Sequence, residues 1–334
     1  MRVGLTSTIP VEIVLAAGHQ PLDLNNIFVS APAAADMVRD AEAAGYPRSA
    51  CSWVKGIYTT IIQQHINTVI VVTQGDCSQM QAMMETLHDT DVCFIPFAYP
   101  YDRDPNQLHI QMQRLLDAFD TSWEAAVAVQ QTLRPLRAKV GQLDEITWRQ
   151  GTVTGYENHL YQVSCSDFWG DIGRFGAALD ELLAELPTRR PPTYRARVGL
   201  VGVPPIYSDL YQYLDKLGLH VAFNETQRQF TMLPGLDADL LTQYLRYTYP
   251  YDIFTRLEDI AHQTANRQLE GIIHYVQSFC FRQIHDRILR EALDCPVLTL
   301  EGDRPGALTP RDKLRLEAFA ETLEARGQSL KAPL

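Results

Sequence analysis

Six cysteines offer this 334-residue chain most of its reactive chemistry, and their placement divides them into two groups. Cys51, Cys77 and Cys280 share one setting. Each stands immediately before a helix-patterned stretch, and Cys77 and Cys280 also follow a strand-patterned one. A helix N-terminus offers unpaired N–H groups and a positive dipole, which favour a thiolate or an anionic cluster. Three thiolates meeting from distant parts of a chain suit a soft metal, or an iron–sulfur cluster with one iron left open. An open position marks a catalytic site rather than a closed structural one. Cys93 lies within a strand, and Cys295 precedes Pro296 at the start of another, so both are expected to be small core residues. Cys165, in QVSCSDFW, begins a helix of undetermined orientation and stays a further candidate ligand. No CxxC occurs, and scattered cysteines in a chain this long do not read as a secreted disulfide framework.

Other side chains near these thiols have both a chemical and a structural reading. Glu12, just after Pro10, suits acid/base work or simple stabilisation by a helix dipole. His274 and Gln277 lie in the stretch leading to Cys280 and, three residues apart, point to opposite faces of a strand. Either could donate a hydrogen bond to a bound carbonyl or a cluster sulfide. Asp76 could cap the helix after Cys77. Lys55, close behind Cys51 and Trp53, could neutralise a cluster or an anionic ligand, or sit as a solvated charge. His285 is expected to pack. The runs FAYPYD (97–102) and YTYPYD (247–252) are nearly alike, and the first, at a strand's carboxyl end, is the one expected to wall a cleft.

Positioning these groups needs strands that end where helices begin. GIIHYVQ (271–277) is an apolar, β-branched run read as a buried parallel strand, followed by a helix-patterned stretch from Phe281 to Leu293. Thr68–Thr73 is a second clear strand, with Gly75-Asp76-Cys77 and a helix after it. Asn26–Val29 reads as a weak strand. The middle, Pro105 to Glu185, is mostly helical with interruptions at Gly141, Gly151 and Gly155, and TRRPP (188–192) reads as a linker. Arg197–Val203 restarts the strand–helix rhythm. The pattern predicts an α/β fold of two doubly wound parallel-sheet (Rossmann- or flavodoxin-like) domains with a helical middle and an inter-domain cleft. The expected divisions are 1–187, with the helical insertion, Cys51 and Cys77, and 193–334, with Cys280.

Composition excludes several classes. The chain is 46% hydrophobic and 21% charged, the balance of a soluble globular protein. A net charge of −11 argues against nucleic acid as a partner. No apolar run approaches the roughly 20 residues needed to span a bilayer. The start lacks a signal-peptide pattern, so no membrane and a cytoplasmic location are expected. Pro204-Pro205 after Gly202 obstructs a dinucleotide fingerprint, and no GxxxxGK[ST] motif is present to hydrolyse ATP.

TIPVEIVLAAG near the start, Cys51 before a helix, GDC at 75–77, GIIHYVQSFC and RLEAFAETL (315–323) together resemble the D-component family of 2-hydroxyacyl-CoA dehydratases. Benzoyl-CoA reductase subunits and double-cubane proteins belong to the same superfamily. The resemblance implies a [4Fe-4S] cluster between two α/β domains, its ligands falling on Cys51, Cys77 and Cys280. It also implies an ATP-hydrolysing iron–sulfur activator, a second homologous subunit or a second copy, and an acyl-CoA substrate. In the dehydratases one injected electron makes a ketyl radical, which lets an unacidic β-proton leave with hydroxide. The alternatives are an iron–sulfur reductase or electron carrier, and a cluster-free structural partner subunit. A double-cubane relative would need ligands beyond the three site cysteines, from Cys93, Cys165 and Cys295.

Overall fold

The computed structural model describes residues 1–331. Two four-stranded, all-parallel sheets carry the fold. The first contains β1 (Arg2–Leu5), β2 (Gln20–Asp23), β3 (Thr68–Gln74) and β4 (Cys93–Ala98) in the order β2-β1-β3-β4. The second contains β5 (Ala196–Gly202), β6 (Leu219–Asn224), β7 (Gly271–Gln277) and β8 (Val297–Gly302) in the matching order β6-β5-β7-β8. In each sheet the chain first winds to one side and then returns to the other. This opens a crevice between β1 and β3, and another between β5 and β7, at the carboxyl ends of the strands. The central strands are apolar on both faces because helices cover both: every residue of β7 is buried.

The two sheets do not keep their helices to themselves. Phe28, Met37 and Val38, from the first part of the chain, pack in one core with Leu200, Leu210 and Tyr275 of the second. Conversely Phe230, Met232, Tyr244, Tyr247 and Tyr249 fill a core with Leu5, Ile70, Val72 and Phe97 of the first sheet. The helical middle has its own core, including Leu133, Val140, Phe168 and Phe175. A buried ion pair joins it to the second half: Arg267, anchored there on the Ala222 carbonyl at 2.8 Å, donates to Asp144 Oδ2 at 2.6 Å.

Several local expectations change. Asn26–Val29 lies in a helix, Leu24–Ser30, because Asp23 caps it by accepting from Asn25 N at 2.9 Å; the strand is the preceding QPLD. Pro21 is tolerated there because β2 is an edge strand. Gly141 does not break its helix, which runs Trp123–Gln150 on a buried stripe of Leu133, Leu136, Val140 and Leu143. Gly141 is small because Leu233 would lie 2.8 Å from an added Cβ. Phe281–Leu293 is not one helix but a 3-10 turn, Phe281–His285, followed by an α-helix, Asp286–Ala292. Cys93 is exposed rather than core, since it starts edge strand β4, and Cys295 is half-buried just ahead of edge strand β8.

The second crevice depends on Gly202. Its φ is +113°, and an added Cβ would lie 2.0 Å from the Tyr275 carbonyl oxygen. Its own amide donates to Glu225 Oε2 at 3.0 Å, so the turn has nowhere to move. Gly306 also has a positive φ, +138°, but nothing lies within 4 Å of its absent Cβ. Gly202→Ala is therefore expected to destabilise the protein by more than about 3 kcal/mol, and Gly306→Ala by about 1 kcal/mol, the cost of backbone strain alone, in urea unfolding.

Candidate functional site

Both crevices open into one cavity of about 500 Å³. Thr6, Ser7 and Thr8 after β1, Asp76 and Cys77 after β3, Val203, Pro204 and Pro205 after β5, and Gln277 and Cys280 at the end of β7 all line it. Cys51 joins them from the N-cap of the helix Ser52–Gln63. Its amide donates to Gln79 Oε1 at 3.0 Å, tying the Cys51 turn to the helix that Cys77 caps. The three cysteines that share a sequence setting thus share a cavity.

Their electrostatics are those of sheltered thiols. Burial, with smaller pushes from the neighbouring Cys280 and Cys77, takes Cys51 up to about 12. Burial likewise takes Cys77 to about 11 and raises Cys280. In each case the amide two residues on opposes the shift: Gln79 N–H donates to Cys77 Sγ at 3.4 Å, and the Trp53 and Arg282 amides act on Cys51 and Cys280. The thiols feel one another and are all free. Among the described residues, no three His, Cys, Asp or Glu side chains close around the position of a single metal ion.

This cavity, at the carboxyl edges of two parallel sheets, lies within residues 6–323, the stretch matched by the family model for the 2-hydroxyglutaryl-CoA dehydratase D-component. The chain belongs to that family. It is a 2-hydroxyacyl-CoA dehydratase-like subunit. No curated protein matches the chain. Among the described residues no helix is long and apolar enough to cross a membrane.

The Gly75-Asp76-Cys77 turn needs its glycine for space. Gly75 has φ +95°, with Pro250 Cβ and Tyr99 Cβ 2.8 and 2.9 Å from where its own Cβ would stand. The two tyrosine-rich runs therefore meet on the back of the Cys77 turn. Their roles are the reverse of those expected: Tyr249 of the second run reaches the cavity, whereas Tyr99 of the first is buried behind it, donating to the Thr8 carbonyl.

The remaining candidates separate clearly. Gln277 lines the cavity, but its amide is committed, donating to the Asp303 carbonyl at 2.5 Å and accepting from Tyr275. His274 faces the other side of β7, its Nδ1 2.9 Å from Asp286 Oδ1. Burial would raise Asp286, yet its bonds with His274, Thr299 and Arg290 hold it well below the carboxylate range. Glu12 does not line the cavity. Fully buried, it accepts from Arg137 at 2.6 Å, Gln243 at 2.9 Å and Tyr244 at 2.7 Å. Burial alone would raise its carboxyl, but the Arg137 charge and these bonds hold it low. Lys55 is neither solvated nor free; it is buried and paired with Glu42 at 2.8 Å. Asp76 caps nothing, because Cys77 itself occupies the N-cap. It faces the cavity, where burial takes it to about 6 against the pull of Arg282. His285 stacks edge-on with Phe281 and is lowered to about 4 by burial. Cys165 is buried against the Tyr161 carbonyl and does not line the cavity.

Reasoning from the sequence passed over four residues of the wall. Arg282 is 3% exposed and donates to the Tyr249 carbonyl at 3.0 Å, its guanidinium 4.2 Å from that ring's centroid. Asp23 and Asp167 sit together, Asp23 N donating to Asp167 Oδ2 at 2.8 Å. Burial raises both, and repulsion from Asp23 adds to take Asp167 to about 7. Beside them Phe168, Trp169 and Gly170 are all left-handed, at φ 50°, 57° and 64°. Two such non-glycine residues cost on the order of 1–3 kcal/mol each. Only QVSCSDFWGD, an acidic and aromatic run beside Cys165, gave a signal.

Two outcomes follow. Glu12→Gln is expected to cost roughly 3–5 kcal/mol, because it leaves a buried guanidinium without a counter-charge. The Glu12 carboxyl is lower folded than unfolded, so this contribution is complete above about pH 5 and is lost as pH falls further. Urea unfolding at several pH values checks both. Asp167 has the opposite sign: folding raises its carboxyl, which opposes folding increasingly from about pH 4 up to about pH 7 and constantly above that. Asp167→Asn should therefore raise the Tm near pH 8 by roughly 2–6 °C, a gain that vanishes near pH 4.

Proposed function

We propose that the chain is the [4Fe-4S] subunit of a 2-hydroxyacyl-CoA dehydratase-like enzyme, eliminating water from a 2-hydroxyacyl thioester by radical chemistry. Cys51, Cys77 and Cys280 are its cluster ligands. The observation that carries this reading is that three free thiols, two from one sheet's side and one from the other, line a single sheltered cavity at both switch points. The donor set fits the cofactor. Thiolate is the ligand iron–sulfur clusters take, and a cationic centre reverses the logic that raises these thiols, deprotonating them on binding. A cubane binds each thiolate through a different iron, so its ligands stand further apart than the ligands of one ion. Lack of closure around a single ion is compatible with that requirement.

When bound, the cluster would supply a low-potential electron and an open iron at the substrate. The protein's own part is to hold and shelter it. Arg282, buried between Tyr249 and the Cys280 turn, offsets the negative charge of the assembled thiolates. Gln277 fixes that turn, its carbonyl accepting from Gln283 Nε2 at 2.9 Å and from Cys280 N at 3.0 Å. Pro204 and Pro205 close the wall over β5 without offering a dinucleotide turn. Membership of the family implies a separate ATP-hydrolysing iron–sulfur activator that supplies the electron, and a second homologous subunit or second copy that completes the enzyme. Cys93, Cys165 and Cys295 do not line the cavity, which favours one cubane over two.

Anaerobic purification followed by iron and acid-labile sulfide analysis tests the reading. About four irons and four sulfides per chain are expected, falling to less than about a fifth of that in Cys51→Ser, Cys77→Ser and Cys280→Ser and unchanged in Cys93→Ser. A colourless wild-type protein, or full loading in all three site variants, contradicts it.

A further inference from the structure

The left-handed turn beside the cavity has a consequence for which acyl group the site admits. Its two cavity-facing side chains, Asp167 and Trp169, are held rigidly. Trp169 Nε1 donates to Ser164 Oγ at 2.8 Å, and the indole packs against Phe175 and Tyr161 at centroid distances of 5.1 and 5.9 Å. Its amide donates to Asp167 Oδ1 at 3.0 Å. Strained backbone of this kind persists only where the surroundings over-determine it, and it gathers at ligand clamps.

The charges on the wall are lopsided. Asp23 and Asp167 receive their hydrogen bonds from backbone amides and from the uncharged side chains of Asn25 and Ser166, not from a cation. The guanidinium that lines the cavity, Arg282, acts instead on Asp76 and the thiols, among them Cys77 and Cys280. His159, lowered by burial to about 4, is neutral. Arg174, whose guanidinium lies 6.0 Å from the Trp169 ring centroid, does not line the cavity, so among the described lining residues no positive group stands to receive a second carboxylate beside Asp23 and Asp167. Apolar surface is plentiful in the same region, from Trp53, Trp169, Tyr207 and Tyr211.

We propose that the turn Asp167–Gly170 selects the acyl group: Trp169 offers a flat apolar face, and Asp167 with Asp23 repels a carboxylate, so the admitted thioester carries an uncharged, apolar acyl chain. This rests on the dehydratase reading and narrows it. The family description names a dicarboxylic acyl group, whereas this wall is built against one.

The test is calorimetric titration of the anaerobically isolated full chain with hexanoyl-CoA and with adipoyl-CoA near pH 8. The two acyl chains are equally long and differ by a terminal carboxylate. Hexanoyl-CoA should bind at least about tenfold more tightly, the effect of placing a charge against like charge in a sheltered wall. Asp167→Asn should shrink that ratio to about threefold or less by improving adipoyl-CoA, whereas Trp169→Ala should weaken hexanoyl-CoA by about tenfold and leave adipoyl-CoA little changed. Equal or tighter binding of adipoyl-CoA by the wild-type chain overturns the proposal, even where a variant fails to fold. So does a fully iron-loaded chain that binds neither thioester. Loss of the iron and sulfide, by contrast, counts against the dehydratase reading whatever the acyl preference.

Discussion

A sulfur atom withdrawn from water has to remain a neutral thiol unless something positive meets it there. That constraint governs this molecule. Cys51, Cys77 and Cys280 are driven up by burial and, for Cys51 and Cys77, by neighbouring thiols; Arg282 opposes this at Cys77 and Cys280, and Arg256 adds to that opposition at Cys280. Three thiols gathered into one such place do nothing for stability. The cluster proposed for this cavity would give their position a physical reason, since a positive centre there would reverse every one of those shifts.

The fold is what makes the gathering possible. A parallel sheet whose strand order turns back on itself leaves a crevice at one edge, and two such sheets present their crevices to a common cavity. Exchange of packing elements then locks the halves. Phe28 and Met37 serve the second sheet, while Phe230, Tyr244 and Tyr249 serve the first. Glu12 belongs to this layer of the design. Its buried bond to Arg137 joins the first helix of the chain to the long helix of the middle, and it contributes by holding the frame.

Much of this was legible in the residues themselves. TVIVVT and GIIHYVQ announce buried parallel strands by β-branching and length, and a cysteine at the strand–helix junction announces the binding edge. What was not legible depends on partners far along the chain. Nothing near Lys55 tells that Glu42 will claim it, and nothing in FAYPYD or YTYPYD tells which will face the cavity, since Gly75 decides that by letting both approach. The turn at Phe168 and Trp169 was hidden for another reason. Its backbone is left-handed at two residues that avoid that region, so local propensity points away from the structure adopted. The apolar period from Phe281 misled in the same way: Ile284 is 78% exposed, and the segment begins as a 3-10 turn.

The account stands or falls on whether the three cysteines act as one ligand set. Anaerobic alkylation mapped by mass spectrometry, comparing iron-reconstituted protein with the same protein stripped by chelator, reads this directly. Cys51, Cys77 and Cys280 should be shielded together in the loaded protein and released together on stripping, while exposed Cys93 reacts alike in both. Shielding that falls on Cys165 or Cys295 instead, or that separates Cys280 from the other two, would contradict it.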